Sequence, residues 1–106
     1  MKGSVIITAG GIGKRMGSEL PKQFLSIHGK PILLHTLETF HSFDSSLQIL
    51  ITLPSDWFSY WKELLETFHC QIPHELVSGG QERFHSIQQA LPFCTGEFIA
   101  VHDGVR

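Results

Sequence analysis

The sequence predicts an α/β fold in which a doubly wound, mostly parallel sheet carries helices on both faces. Short aliphatic and β-branched runs alternate with longer segments whose apolar residues recur at helical spacing. Strands that alternate with helices form βαβ units, and such units build parallel sheets. The chain has 106 residues, of which 42% are hydrophobic, which is sufficient for one modest core.

The first half of the chain predicts strands at residues 4–9 and 47–53, with a brief strand at 24–27 between them. Pro31 suits the first turn of a helix, because its fixed backbone angle is already helical. The apolar face of that helix is expected to contain Leu33, Leu37 and Phe40. Ser55 is a suitable N-cap for a second helix. The apolar stripe of the second helix consists of Trp57, Trp61, Leu64, Leu65 and Phe68.

The second half predicts a weaker strand at 71–77, a helix from Gln81 to Leu91 and a last strand at 97–103. Pro73 places the weaker strand at an edge or on an irregular path. Phe84, Ile87 and Leu91 are expected to face the core from the helix.

Three separated segments are expected to meet at one rim of this sheet. They are the glycine-rich turn after the first strand, the residues 78–80, and Asp103. Ligands of open α/β sheets bind outside the carboxyl ends of the strands. The sequence ends at Arg106, just after the last predicted strand. We therefore interpret residues 1–106 as the amino-terminal, nucleotide-binding part of a single domain whose carboxyl-terminal half is missing.

Composition excludes several classes of protein. No apolar run approaches the ~20 residues that span a bilayer. The apolar stretch near the start of the chain is too short for a secretory signal. Cys70 and Cys94 show no pairing pattern and are expected to be reduced and buried, as in a cytoplasmic protein. Five of the eight basic residues lie in the first thirty positions, although the formal net charge is −2. This local cluster favours a compact anionic ligand over a nucleic acid or a membrane.

The glycine-rich turn, "TAGGIGKRMGSELPKQF" at residues 8–24, fits neither of two familiar phosphate loops. A P-loop requires Ser or Thr after Gly13-Lys14, where this chain has Arg15. A dinucleotide fingerprint requires a third glycine, where this chain has Met16. Glycines let backbone N–H groups approach phosphate oxygens, and the neighbouring cations suit a nucleoside triphosphate. A triphosphate also implies Mg²⁺, for which Asp103 at a strand end is a suitable oxygen ligand.

Three segments resemble one family of enzymes. They are "AGGIGKRMGSELPKQF", "GGQERFHSI" and "HDGVR", in that order. The chain resembles the amino-terminal half of the 2-C-methyl-D-erythritol 4-phosphate cytidylyltransferases, and ribitol-5-phosphate cytidylyltransferases share all three segments. The resemblance implies a sheet of the nucleotide-diphospho-sugar transferase type. It also implies CTP and a sugar-alcohol phosphate as substrates, Mg²⁺ as cofactor, and a homodimeric full-length protein.

The resemblance also assigns roles to individual residues. Arg15 and Lys22 correspond to the catalytic cations of the family, Asp103 to the metal ligand, and Arg106 to a position near the acceptor. The nucleotide-binding positions are Ala9, Gly10, Gly11, Gly13, Gly80, Arg83 and Ser86. The implied reaction is attack by a sugar-phosphate oxygen on the α-phosphorus of CTP, with loss of pyrophosphate. Arg83 and Ser86 are expected on one helix face, opposite the apolar stripe.

Several alternatives remain open from the sequence. Thr8 and Gly10 differ from the commonest pattern of the methylerythritol enzymes, and the segments "AGG" and "LPSDW" resemble the ribitol enzymes more closely. Methylerythritol phosphate is nevertheless the preferred acceptor. The 106 residues alone are expected to bind CTP and Mg²⁺ without turnover. A sugar-1-phosphate nucleotidyltransferase with another base is disfavoured by "GGQER". A dehydrogenase would need an acid at the end of the second strand, and "LQILITLP" offers none.

Overall fold

The computed structural model describes residues 3–9, 26–27, 29–79 and 83–103. For 26, 27, 83 and 103 it describes the backbone alone. The strands are β1 (Gly3–Thr8), β2 (Ser26–Ile27), β3 (Lys30–Pro31), β4 (Gln48–Leu53), β5 (Glu75–Ser78) and β6 (Phe98–Asp103). The helices are α1 (Ile32–Phe43), α2 (Phe58–Thr67) and α3 (Arg83–Ala90). Within these ranges, no helix combines the length and apolar character needed to cross a membrane.

Four of the strands form one parallel sheet in the order β5-β4-β1-β6. The chain runs from β1 outward through β4 to β5, and then returns to the other side of β1 to add β6. The order changes direction between β1 and β6. β2 and β3 form a separate antiparallel pair. The doubly wound, mostly parallel sheet predicted from the sequence is therefore confirmed.

Two apolar clusters place helices on both faces of the sheet. The residues of β1 and β4 alternate between the faces because successive side chains of a strand point in opposite directions. The larger cluster joins α1 and α2 to the sheet and contains Val5, Ile7, Ala9, Leu33, Leu34, Leu37, Ile49, Ile51, Leu53 and Trp61. The smaller cluster joins α3 to the opposite face and contains Ile6, Leu50, Val77 and Ala90. Cys70 and Cys94 are free, as expected, but they are half-buried rather than fully buried.

The start of α2 differs from the sequence-based expectation. Ser55 does not cap a helix; it is the first residue of a short 3-10 turn, Ser55–Trp57. The Trp57 N–H donates to the Pro54 carbonyl at 2.9 Å and closes this tighter turn, so that α2 begins only at Phe58. The predicted aromatic and leucine stripe is nevertheless confirmed, since Trp61 is fully buried and the other four residues pack against the larger cluster.

The buried face of α3 was predicted incorrectly. Phe84 and Leu91 are 61% and 44% exposed, and of the predicted stripe Ile87 alone packs on the sheet. Ser86 and Ala90, one helical turn apart, are the buried residues. Small side chains at these positions allow the helix to lie close to the sheet, and Phe84, two residues before Ser86, lies on the solvent side of the helix.

A polar cluster around Gln48 holds the chain segment that leads into β6. The Gln48 side-chain amide donates to the Phe93 carbonyl at 2.8 Å and to Glu75 at 3.0 Å. The Gln48 amide oxygen accepts from the Thr95 N–H at 2.8 Å. Ser4 connects to the same cluster, because its hydroxyl donates to Gln48 at 2.5 Å and accepts from the Gly96 N–H at 2.8 Å. These hydrogen bonds fix the register in which β6 pairs with β1.

His74 is expected to make the stability of the fold dependent on pH. The Trp61 indole N–H donates to His74 Nε2 at 3.0 Å, so the ring proton is on Nδ1, which lies 2.8 Å from the Ile72 carbonyl oxygen. Burial lowers the pKa of His74, although the bond to the Ile72 carbonyl opposes that shift. The unfolded chain therefore takes up the proton first, near pH ~6.5. The contribution of the neutral His74 ring to the free energy of unfolding is fully present above that pH, and it decreases as the pH falls below it.

Thermal unfolding between pH 7.5 and 5.5 measures this effect. We expect the midpoint to fall with pH in the wild-type chain and to fall less in His74→Gln, whose side-chain oxygen still accepts from Trp61. His69→Gln, at an exposed position, serves as the matched control and should keep the wild-type slope. If the midpoint of His74→Gln falls with pH as steeply as that of the wild type, the pH dependence does not come from His74.

Candidate functional site

The carboxyl ends of the four parallel strands lie along one edge of the sheet. The Ala9 N–H, just after β1, donates to the Thr52 carbonyl of β4 at 2.9 Å. The Gly79 N–H, just after β5, donates to the Leu53 carbonyl at 3.0 Å. Asp103, the last residue of β6, is in register with Thr8 of β1. The structure thus brings the ends of the three predicted segments to one rim, as the sequence indicated.

The point where the strand order reverses lies between β1 and β6. Ala9 directly follows β1, and Asp103 is the last residue of β6. Helices α1 and α2 pack on one face of the sheet and α3 packs on the other. Such a reversal opens a crevice at the carboxyl edge, which is the usual ligand site of open α/β sheets.

Gly79 and Ser86 form a close contact between β5 and α3. A Cβ atom at position 79 would lie 3.1 Å from Ser86 Oγ, which is tighter than an ordinary van der Waals contact. The bare α-carbon therefore permits α3 to lie against the end of β5. Ser86 is 2% exposed and lies directly beside the rim. Arg83 is the first residue of α3.

Two threonines lie beneath the rim, at corresponding positions of β1 and β4. Thr8 Oγ1 donates to the His102 carbonyl of β6 at 3.4 Å, so it connects the two strands at the reversal. Thr52 is fully buried, and its Oγ1 has no hydrogen-bond partner. Leaving a buried hydroxyl unpaired costs about 1–3 kcal/mol. Sequence reasoning did not single out Thr52, although a threonine within the aliphatic run "QILITL" was a visible signal.

Most of the predicted site residues lie outside the described residues. These are Gly10, Gly11, Gly13, Arg15, Lys22, Gly80 and Arg106. The side chains of Arg83 and Asp103 also lie outside them. The structure therefore places Ala9, Ser86 and the backbones of Arg83 and Asp103, and the role assigned to every one of the site residues stays a prediction.

No ready-made metal centre occurs in the part of the chain that the structure describes. There, no group of three or more histidine, cysteine, aspartate or glutamate side chains could hold an ion. A metal bound at a rim of this kind can also take ligands from a substrate. Mg²⁺ commonly binds in this way, through one or two carboxylates and the phosphates of a nucleotide.

Comparison with known proteins decides the family. The model of the family described as IspD, 2-C-methyl-D-erythritol 4-phosphate cytidylyltransferase, matches residues 4–106. The chain belongs to this family. A methylerythritol-phosphate cytidylyltransferase of Phocaeicola vulgatus is 50% identical over 107 residues, which cover 100% of this chain and 49% of that protein. The chain thus spans about half the length of the curated relatives it matches.

The fold of this chain also agrees with that of a solved structure from the family. The structure of the bifunctional IspDF from Campylobacter jejuni superimposes with a TM-score of 0.78 at 27% identity, over 98% of this chain and 26% of that one. A ribitol-5-phosphate cytidylyltransferase of Streptococcus agalactiae is a more distant relative, 36% identical over 95% of this chain and 45% of its own length. The relatives named for methylerythritol phosphate are therefore the more similar ones.

Proposed function

We propose that the complete protein transfers the cytidylyl group of CTP to 2-C-methyl-D-erythritol 4-phosphate and releases pyrophosphate. The observation that carries the proposal is the rim at the strand reversal, formed by Ala9, Gly79 and Asp103 in a chain of the cytidylyltransferase family. Residues 1–106 are then the amino-terminal, nucleotide-binding part of one domain. We include in the proposal a homodimeric, cytoplasmic full-length protein.

The main chain of the glycine-rich turn, from Ala9 onward, binds the nucleotide in this proposal. β1 delivers that turn to the rim, because the Ala9 N–H is held by β4 and cannot move away from the strand ends. Gly10, Gly11 and Gly13 leave the N–H groups that follow open to phosphate oxygens. Ser86, which lies beside the end of β5, meets the edge of the cytosine in this proposal, together with the backbone of Gly80 and with Arg83.

Two cations and the geometry of the substrates account for the chemistry. An oxygen of the sugar phosphate attacks the α-phosphorus, a bond to that oxygen forms, and the bond to pyrophosphate breaks. Such transfers need positioning and stabilisation of charge on the non-bridging oxygens rather than a protein nucleophile. Arg15 and Lys22 supply the positive charge, and Arg106 orients the acceptor.

Asp103 fits a magnesium ion by the chemistry of its carboxylate and by its position at the end of β6. One carboxylate together with nucleotide phosphates is a usual ligand set for Mg²⁺. When bound, the ion neutralises part of the triphosphate charge.

A pyrophosphate-release assay on the complete protein tests the proposed reaction. We expect turnover with CTP and methylerythritol phosphate, and much slower turnover with ribitol 5-phosphate. The preference for the first acceptor follows from the greater identity to the methylerythritol relatives. Faster turnover with ribitol 5-phosphate would contradict the choice of acceptor, and turnover with neither acceptor would contradict the proposed reaction.

The 106 residues alone constitute a CTP-binding module in this proposal, because the chain corresponds to about half of its relatives. We expect CTP with Mg²⁺ to raise the thermal unfolding midpoint of the isolated chain, while UTP and dTTP do not. No pyrophosphate release is expected from the chain alone. Equal stabilisation by UTP would indicate a nucleotidyltransferase with a different base preference.

A further inference from the structure

Thr52 lies on the face of the sheet that α3 covers. Successive residues of a strand point to opposite faces of the sheet. In β4, Ile51 and Leu53 belong to the larger cluster with α1 and α2, whereas Leu50 belongs to the smaller cluster with α3. Thr52 follows Leu50 by two positions and therefore shares its face. Since β4 ends at Leu53, the Thr52 side chain lies one residue beneath the carboxyl edge, on the side of α3.

Ser86 lies at the same level of the sheet as Thr52. Near the rim, a Cβ atom at position 79 would lie 3.1 Å from Ser86 Oγ and 3.5 Å from the backbone nitrogen that follows Thr52. From there α3 runs back toward the middle of the sheet, where Ala90 joins Leu50 in the smaller cluster. Four helical residues span about 6 Å, and two strand residues span about 6.6 Å. The two spans match, so Ser86 and Thr52 lie opposite each other between α3 and β4.

The Thr52 hydroxyl is closed off from solvent and lacks a partner. Thr52 is 0% exposed and Ser86 is 2% exposed. Thr52 Oγ1 makes no hydrogen bond, although buried hydroxyls normally make one. The residues in register with it do not supply one, because Val77 of β5 is apolar and Thr8 of β1 donates to the His102 carbonyl. An unpaired hydroxyl beside the rim is explained if it gains its partner when a ligand binds.

We propose that Thr52 is a positioning residue for the choice of base. Its hydroxyl forms a hydrogen bond with Ser86 Oγ when CTP binds, and this bond fixes the direction of the Ser86 hydroxyl toward the base. The inference rests on the proposed function, in which Ser86 meets the edge of the cytosine.

The two pyrimidine bases explain why a fixed direction matters. At N3 and at position 4, cytosine has an acceptor and an amino donor, whereas uracil has a donor and a carbonyl acceptor. A hydroxyl that rotates serves either base, since it can both donate and accept. A hydroxyl held in one direction by a second hydroxyl serves one base better than the other. Thr52 thus contributes to selection of CTP over UTP without contact with the nucleotide.

Thr52→Val removes the hydroxyl and keeps the β-branched shape. Calorimetric titration of the 106-residue chain with CTP and with UTP, each with Mg²⁺, measures the ratio of the two affinities. We expect the affinity of Thr52→Val for CTP to fall about three- to tenfold, as the loss of one hydrogen bond predicts. The affinity for UTP should change less, so that the ratio falls. Thr52→Ser keeps a hydroxyl and should retain the wild-type ratio.

Two further measurements separate this positioning role from a general effect on the fold. The thermal unfolding midpoint of nucleotide-free Thr52→Val should be no lower than that of the wild type, because the lost hydroxyl has no partner there. Thr36→Val is the matched control. Thr36 is also a buried threonine, but its hydroxyl donates to the Ile32 carbonyl at 3.3 Å within α1, on the other face of the sheet. This variant should bind both nucleotides like the wild type.

Three outcomes would contradict the role of Thr52 and leave the proposed function intact. One is a wild-type ratio of affinities in Thr52→Val. Another is a fall of the ratio in Thr52→Ser as large as in Thr52→Val, which would mean that the shape of the side chain matters rather than its hydroxyl. The third is a lower midpoint of nucleotide-free Thr52→Val, which would mean that the hydroxyl already stabilises the fold. Absence of CTP binding by the wild-type chain would instead overturn the proposed function, and the role of Thr52 with it.

Discussion

Replacing Lys22 with alanine in the complete protein is expected to lower kcat about 10²- to 10³-fold, equivalent to about 3–4 kcal/mol of barrier. The reason is the charge that develops on the oxygens of the α-phosphate during transfer. A fixed ammonium group stabilises that charge most strongly in the transition state, so its loss affects kcat more than KM. Steady-state kinetics with CTP and methylerythritol phosphate measure the effect, and circular dichroism checks that the fold is retained.

Lys30→Ala is the matched control for this experiment. The Lys30 ammonium group is 2.9 and 3.0 Å from the two carboxylate oxygens of Glu38, so its charge already has a partner in α1. Both side chains are more than one-third exposed, and such ion pairs contribute little to stability. We expect kcat within about twofold of the wild type. An unaltered kcat in Lys22→Ala, or an equal loss in Lys30→Ala, would remove Lys22 from the chemistry.

Gly96→Ala is expected to destabilise the chain by about 3 kcal/mol, at the upper end of the range for overpacking. A Cβ atom at this position would lie 2.5 Å from the Ser4 nitrogen and 2.6 Å from the Gly3 carbonyl carbon. Both are backbone atoms of β1, so neither can rotate away. The segment before β6 would have to move outward, and the bond from the Gly96 N–H to Ser4 Oγ would be lost with it.

Urea unfolding of Gly96→Ala and Thr95→Ala separates this clash from a general sensitivity of the segment. Thr95→Ala removes a side-chain hydroxyl that donates to Gln48 at 3.2 Å, but it leaves the backbone bond from Thr95 in place. Its expected cost is at most about 1 kcal/mol. If the free energy of unfolding of Gly96→Ala were within about 0.5 kcal/mol of the wild-type value, the buried backbone of β1 would have to shift at little cost to make room for the methyl group.

The sheet and most of its elements could be predicted because local pattern and tertiary structure agree there. Residues 47–53 form an aliphatic run with Pro54 at its end, and the structure has β4 at Gln48–Leu53. The irregular path before β5 followed from Pro73, and no regular element precedes Glu75 in that segment. In both cases the residues that decide the backbone are adjacent in the sequence.

The buried face of α3 could not be predicted in the same way, because a contact distant in the sequence decides it. Apolar spacing favoured Phe84 and Leu91, but the helix must fit against Gly79 and the smaller cluster. Ser86 and Ala90 permit that close approach, whereas a phenylalanine does not. Hydrophobic periodicity counts apolar area and contains no information on how closely two elements pack.

The candidate site was predictable in position and only partly in composition. The carboxyl ends of β1, β5 and β6 had to share an edge once the alternation of strands and helices was recognised, and this places Ala9, Gly79 and Asp103 along that edge. Thr52 was missed because a single polar residue in a buried strand is ordinarily a packed, hydrogen-bonded core residue. Its unpaired hydroxyl becomes visible only when the neighbouring strands are in place.

The binding of CTP at the rim between β1 and β6 is tested most directly by NMR. Backbone amide signals of the 106-residue chain are followed while CTP and Mg²⁺ are added, with UTP and Mg²⁺ as the comparison. With CTP we predict the largest shifts at Ala9, Gly79, Ser86 and Asp103, and with UTP we predict smaller shifts at these amides. Shifts confined to other surfaces, such as the end of α1, or no shifts at saturating CTP, would contradict this prediction.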